Sequence, residues 1–212
     1  MWPGLSAAAW SLAGKTDVIT GGSRGIGSAI AIHLASKGLS KLAITYVGNL
    51  ASAESTLEEC RKNGIERGIA IQADILDPSI GPDLIQQVLT GLETPTIDIL
   101  VNNAAYLDPT EASSVEESTL NVFQKFAKEK AATFNTVCVG PTVTDGFKAV
   151  GKLYPDGFME ELAKEFTAAH RVGTPEDIAY IVGFLACEEA RWVNGACMSA
   201  NGGFCDVLPA LS

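Results

Sequence analysis

The chain has 212 residues, 47% hydrophobic and 19% charged, which is the make-up of an ordinary globular protein with one substantial core. It is read as a single domain over residues 1–212, with residues 1–13 as an N-terminal tail. A formal net charge of −10, with Lys and Arg scattered rather than clustered, argues against nucleic acid as a partner. Five cysteines (Cys60, Cys138, Cys187, Cys197, Cys205) form no Cys-x-x-Cys pair and adjoin no histidine. They argue against a metal site and read as reduced, partly buried thiols in a reducing, cytoplasmic compartment. The opening stretch lacks the basic region of a signal peptide, and the longest apolar run, Ile178 to Cys187, is too short to span a bilayer.

Short β-branched runs alternate with helical stretches, the pattern of a parallel sheet covered on both faces. Lys15 to Thr20 predicts the first strand, although Asp17 is an odd residue for a buried one. Arg24 to Lys37 predicts a helix, Lys41 to Tyr46 a second strand, and Ala51 to Asn63 a polar-faced helix stopped by Gly64. Gly68 to Ala73 and Ile80 to Leu92 give a third strand and a third helix. Ile97 to Val101 is apolar throughout, as a strand buried on both sides should be. Asn102 to Glu117 then reads as loop, Ser118 to Ala131 as helix, and Thr133 to Val139 as strand. A Gly/Pro-punctuated loop runs to about Gly157, followed by an amphipathic helix from Phe158 to Ala169. Thr174-Pro175-Glu176-Asp177 starts a helix that ends near Ala186, and Ala196 to Ala200 is the last strand.

Between the first strand and the first helix stands Thr20-Gly21-Gly22-Ser23-Arg24-Gly25-Ile26-Gly27. Glycines there let the backbone bend sharply and approach a pyrophosphate with no Cβ in the way. The helix N-terminus adds free N–H groups and a positive dipole end. Strand before and helix after are the context that gives such a string its meaning.

The spacing T-G-x-x-x-G-x-G resembles the short-chain dehydrogenase/reductase family, and further stretches match in order. They are Asp74-Ile75, Asn102-Asn103-Ala104-Ala105, the run Asn135 to Thr144 (with Val139 where proline is usual), Arg171 to Ala179, and Asn201-Gly202-Gly203. The resemblance implies an α/β fold: a Rossmann-like doubly wound parallel sheet in three αβα layers. It also implies that Asp74 and Ile75 contact adenine, Asn103 and Ala104 lie at the adenosine ribose, and Thr142 and Thr144 hold the nicotinamide carboxamide and nearby phosphate. Asn103 has a second reading, as an amide that stabilises its own loop.

The second strand ends Ile44-Thr45-Tyr46-Val47-Gly48-Asn49, with no acid until Glu54 to accept a ribose 2′-hydroxyl. Arg24 offers a cation to a 2′-phosphate, and the ending at Tyr46 looks like the family's NADP-type reductases. The cofactor expected is NADP(H), held by Gly21, Ser23, Arg24, Gly25, Ile26, Gly27 and Tyr46 as well as the residues above.

In that family a Tyr-x-x-x-Lys pair delivers the proton that hydride transfer needs, with a serine orienting the substrate. Here Tyr46, Tyr106, Tyr154 and Tyr180 are followed four positions on by Leu50, Thr110, Phe158 and Phe184. No catalytic residue is assigned; Tyr106, just after the Asn-Asn-Ala-Ala turn, is the one phenol considered as a substitute acid. Relative to the family the chain lacks on the order of fifty residues, one central strand and most of two helices. A βαβ crossover needs only about a dozen residues. The sheet is therefore expected to close over the gap, putting the Thr133–Val139 strand beside Ile97–Val101. Counting the missing strand as fifth, the order becomes third, second, first, fourth, sixth, seventh.

The resemblance thus implies an oxidoreductase of small carbonyl or alcohol compounds, as in secondary metabolism, here internally shortened and of weak or no activity. The alternative is a nonredox NADP-binding protein: a pseudoenzyme, isomerase or cyclase. A monomer or homodimer is expected rather than a tetramer. His33 reads as a helix-flank residue and His170 as exposed.

Overall fold

The computed structural model describes residues 10–77, 79–105 and 132–204. The first half repeats one device. A short strand sends alternate side chains to opposite faces, and a helix then covers one face. β1 (Thr16–Ile19) is buried along its whole length. α1 (Gly25–Ser36) follows, then β2 (Lys41–Tyr46), α2 (Leu50–Lys62), β3 (Arg67–Gln72), α3 (Ile80–Gly91) and β4 (Ile99–Val101). The strands pair in parallel in the order β3-β2-β1-β4, with Ile19 opposite Ile44 and Val101, and Ala43 opposite Val18 and Ile69.

The pleat sorts the core into two sides. Ile19, Leu42 and Ile44 meet Ile30, Leu34, Ala53 and Leu57 from α1 and α2. Val18, Ala43 and Ile71 meet Leu84, Val88 and Leu92 on the other face. Each fully buried Leu or Ile contributes about 1.5–3 kcal/mol. Asp17, on the Leu42 side, is the exception within this core. It is fully buried, and neither carboxylate oxygen meets a hydrogen-bond partner among the described residues. Burial pushes its carboxyl well above the usual carboxylate range.

The second half is built differently. β5 (Thr136–Val139) pairs in parallel with β6 (Cys197–Ala200), and these two strands form a sheet of their own. Between them come α4 (Asp145–Gly151), α5 (Phe158–Phe166) and α6 (Pro175–Ala186), with a 3-10 turn at Glu188–Ala190. α6 begins where Asp177 reaches back to the Thr174 amide at 2.7 Å. It lies along α1 and also touches β5 and β6, so it suspends the second sheet from the first. At the α1–α6 crossing Gly183 faces His33, and a Cβ there would stand 2.6 Å from the imidazole. His33 packs edge-on to Tyr180 at 5.0 Å, as a flank residue. Burial and nearby Lys37 hold its pKa below the ordinary value.

Three expectations are corrected. The gap is not closed by strand pairing: β5 pairs with β6 on one edge, as the expected order had it, but its other edge does not meet β4, and among the described residues no strand lies between the two sheets. Of the expected order, the run β3-β2-β1-β4 and the pair β5-β6 are present, and only the junction of β4 with β5 is corrected. β4 is not buried on both sides either. Leu100 is 52% exposed, and among the described residues β4 ends the sheet with no strand on its outer edge. Finally, the loop expected up to Gly157 contains α4, started by the Thr144 hydroxyl, which accepts from the Phe147 amide at 3.1 Å. The helix expected over Ser118–Ala131 lies outside the described residues, as does Tyr106. Among the described residues no helix is long and apolar enough to cross a membrane.

Candidate functional site

β1 and β4 lie side by side in parallel, so the bend after β1 and residues 102–105 after β4 emerge at the same end of the sheet. Gly21 sits at φ +63°, and a Cβ there would lie 3.0 Å from the Ala104 Cα. A Cβ on Gly22 would stand 2.7 Å from the Ile44 Cβ, and one on Gly27 would run into the Gly21 carbonyl oxygen and the Asn103 amide. The approaches at Gly22 and Gly27 are too close for a real Cβ, and the left-handed φ at Gly21 strains any other residue, so the bend is built for bare backbone. Arg24 then takes the N-cap position of α1 with extended backbone. The next amides, from Gly25, Ile26 and Gly27, belong to the first helical turn and have no intrahelical acceptor. The result is a cradle of bare backbone at a helix N-terminus, an arrangement that favours an anion.

Hydroxyls and one amide hold the cradle in shape. Thr20 Oγ1 accepts from the Asn103 and Ala104 amides, each at 3.0 Å. Asn103 Nδ2 donates to the Thr20 carbonyl at 2.9 Å and the Gly21 carbonyl at 3.2 Å. Of its two readings, the loop-stabilising one is therefore what the described geometry contains. Thr45 Oγ1 accepts from the Gly21 amide at 2.9 Å. Thr56 donates to the Ser23 carbonyl at 3.2 Å and pairs with the Ser28 hydroxyl at 2.9 Å, linking α2 to the bend. Thr45 and Thr56 were not singled out by sequence reasoning. The only available signal was a hydroxyl near the end of an apolar strand and another on the buried side of a polar helix.

The loop after β5 comes to the same place. The Thr144 methyl lies 3.5 Å from where a Gly25 Cβ would stand, so this loop closes against the glycine bend from the far side of the gap. Thr142 is buried, its hydroxyl donating to the Gly140 carbonyl at 2.9 Å. The backbone of Pro141 to Val143 is tied to Gly173 by two hydrogen bonds of 2.9 Å each. Arg171 in turn grips both oxygens of Asp177 at 2.7 and 2.9 Å. That bidentate pair, with the Thr174 amide, draws the Asp177 pKa down to about 2.

The remaining predicted residues line the ends of β2 and β3. Tyr46 is half-buried, and its carbonyl accepts from the Ala73 amide at 2.9 Å. No acid follows it before Asn49, whose side chain caps α2 through the Ser52 amide at 3.0 Å. Asp74 is exposed and its carboxylate accepts from the Leu76 amide at 3.0 Å. Ile75 is also exposed, 43% accessible, an apolar side chain left uncovered at a strand end. The Arg24 guanidinium is in solvent, 3.8 Å from the Asp145 carboxylate; with both side chains at least 70% exposed, this pair contributes little and does not fix Arg24 in place.

The chain matches the family model for short chain dehydrogenase over residues 15–137 and that for enoyl-(acyl carrier protein) reductase over residues 125–205. It is 61% identical to the short chain dehydrogenase asqE of Emericella nidulans, over 98% of this chain and 100% of that protein. It is 56% identical to the short chain dehydrogenase penD of Penicillium thymicola, over 98% of each. Both alignments run over 271 residues against a chain of 212, so about sixty positions of each relative face a gap. Among solved structures, a blue fluorescent protein from a metagenomic library in complex with NADPH is 27% identical, with a TM-score of 0.71 over 92% of this chain and 99% of that one. The glycine bend, the parallel sheet and these matches agree: the chain belongs to the short-chain dehydrogenase family, the oxidoreductases that work with a nicotinamide cofactor.

Proposed function

We propose that this chain binds NADP(H) at the glycine bend and, in this shortened form, does not turn it over at ordinary rates. The observation that carries the reading is the bend itself, where Gly22 and Gly27 leave no room for a Cβ, Gly21 takes a left-handed φ, and the first turn of α1 offers its amides. In this reading the backbone from Ser23 to Gly27 holds the pyrophosphate, and Arg24, with Tyr46 nearby, meets the ribose 2′-phosphate. Asp74 and Ile75 flank the adenine, Asn103 and Ala104 the ribose, and Thr142 and Thr144 the nicotinamide end. When bound, the cofactor supplies a hydride to a carbonyl or takes one from an alcohol. What this chain lacks is a group to exchange the accompanying proton, because none of its four tyrosines stands four positions before a lysine. The family's activity is oxidation and reduction of small molecules, and this chain keeps the holding part of that machinery without the proton donor. We place it in the cytoplasm as a monomer or dimer.

The test of binding is a fluorescence titration with NADPH and, separately, NADH. NADPH should bind saturably and more tightly. Arg24→Ala should lose about tenfold or more in NADPH affinity, since a charge-assisted bond contributes about 1.5–3 kcal/mol, and leave NADH unchanged. Equal affinity for the two nucleotides, or no binding of either, would end the proposal.

A further inference from the structure

Cys138 on β5 and Cys197 on β6 are far apart in sequence, yet their sulfur atoms lie 2.8 Å apart. The register explains the meeting. Cys138 stands opposite Ser199 and Cys197 opposite Thr136, so the two cysteines are diagonal neighbours on one face of the two-stranded sheet. Cys197 is exposed and Cys138 half-buried, whereas Cys60 and Cys187 are buried away from them. The contact with Cys197 raises the Cys138 pKa, and Cys197, the more exposed of the two, is the sulfur a solution disulfide reaches first.

We propose that Cys138 and Cys197 are a dithiol/disulfide couple, oxidised by small-molecule disulfides and reduced again by small thiols. The chemistry balances as two exchanges. The Cys197 thiolate attacks the oxidant, forming a mixed disulfide and expelling one small thiolate. The Cys138 thiolate then attacks the Cys197 sulfur, closing the intrachain bond and expelling the second. Each protein thiol gives up one proton, and the two electrons lost by the cysteines reduce the oxidant to two thiols. To bond, the sulfurs must approach by roughly 0.8 Å, to the ~2.05 Å of a disulfide. A sheet of only two strands, with β5 free of β4, can shift that far. A diagonal bridge across parallel strands departs from relaxed geometry, which makes the bond readily reducible and suits it to reversible rather than permanent oxidation. The bridge would fasten β5 to β6 directly before Gly140 and Asn201, which already meet in close contact at the base of the Thr142–Thr144 loop.

The experiment uses the full chain, reduced and then equilibrated with mixtures of oxidised and reduced glutathione. Remaining thiols are alkylated, and the protein is digested without reduction for mass spectrometry. The free-thiol count should fall from five to three, with one cross-linked peptide joining Cys138 to Cys197, and return to five in excess reduced glutathione. Cys197→Ser should yield no such peptide and leave Cys138 unbridged. Oxidation that stops at a mixed disulfide, links two chains, involves Cys60 or Cys187 instead, or does not occur would each overturn the proposal. None of these outcomes depends on nucleotide binding.

Discussion

The two sheets of this molecule are made from similar residues and end in different states. β1 carries four buried residues out of four, flanked by a strand on each side and helices on both faces. β5, Thr-Val-Cys-Val, is as apolar but buries none of its residues fully, because one of its edges and one of its faces have lost their neighbours among the described residues. The strand's own sequence does not decide how much it stabilises the fold; its neighbours do. The glycine bend, built almost wholly in the first sheet, keeps its supports, while the second sheet has few neighbours among the described residues.

Core truncation breaks this comparison most sharply. Ile44→Ala, at a fully buried position, should destabilise the protein by about 2–5 kcal/mol in denaturant unfolding. Val139→Ala, at a 46% exposed position, should stay within about 0.5 kcal/mol. Similar costs at the two sites would mean that the second sheet is as well packed as the first.

The next effect should be a gain. Asp17→Val replaces an unpartnered buried carboxyl and should stabilise by about 1–3 kcal/mol. The sign with pH follows from the raised pKa of Asp17 in the folded chain. Its favourable contribution, as the neutral acid, is complete below the unfolded value of 3.8 and is lost as pH rises through the folded one. The advantage of the valine variant should therefore grow as pH rises, and a gain that shrinks with pH would contradict the burial of Asp17.

A smaller effect belongs to the clip that holds the second half to the cradle. Asp177 has a lowered pKa, so what it contributes is present above 3.8 and is lost as pH falls toward about 2. Asp177→Asn should cost about 1 kcal/mol or less in global stability, this pair being partly exposed, and remove that acid-side loss. Hydrogen exchange should show the same variant loosening the Val143 and Gly173 amides while leaving those of β1 and β2 protected.

Much of this was legible in the residues. The six strands among the described residues fall where β-branched runs stand, and the oddity of Asp17 within β1 is the oddity the structure displays. The bend could be read because glycine's need for space is local and its spacing is written in the chain. That β5 pairs with β6 was legible, since the expected order set the sixth strand beside the seventh; that β5 leaves β4 unpaired was not, since pairing is decided by which edges are left after the whole chain has packed. The meeting of Cys138 with Cys197 was hidden because it needs the residue-by-residue register as well as the pairing, and that register sets residues 59 apart in sequence on one diagonal. Thr45 and Thr56 escaped notice because a hydroxyl reads alike whether it braces a neighbouring loop or only its own helix.

The central claim, a cradle for the dinucleotide without a proton donor beside it, is tested most directly by following NADPH consumption by the full chain against a panel of small ketones and aldehydes. With NADPH shown to be bound, the account expects no carbonyl-dependent consumption above that of buffer. Turnover on the order of 1–10 per second, ordinary for an enzyme, would contradict it.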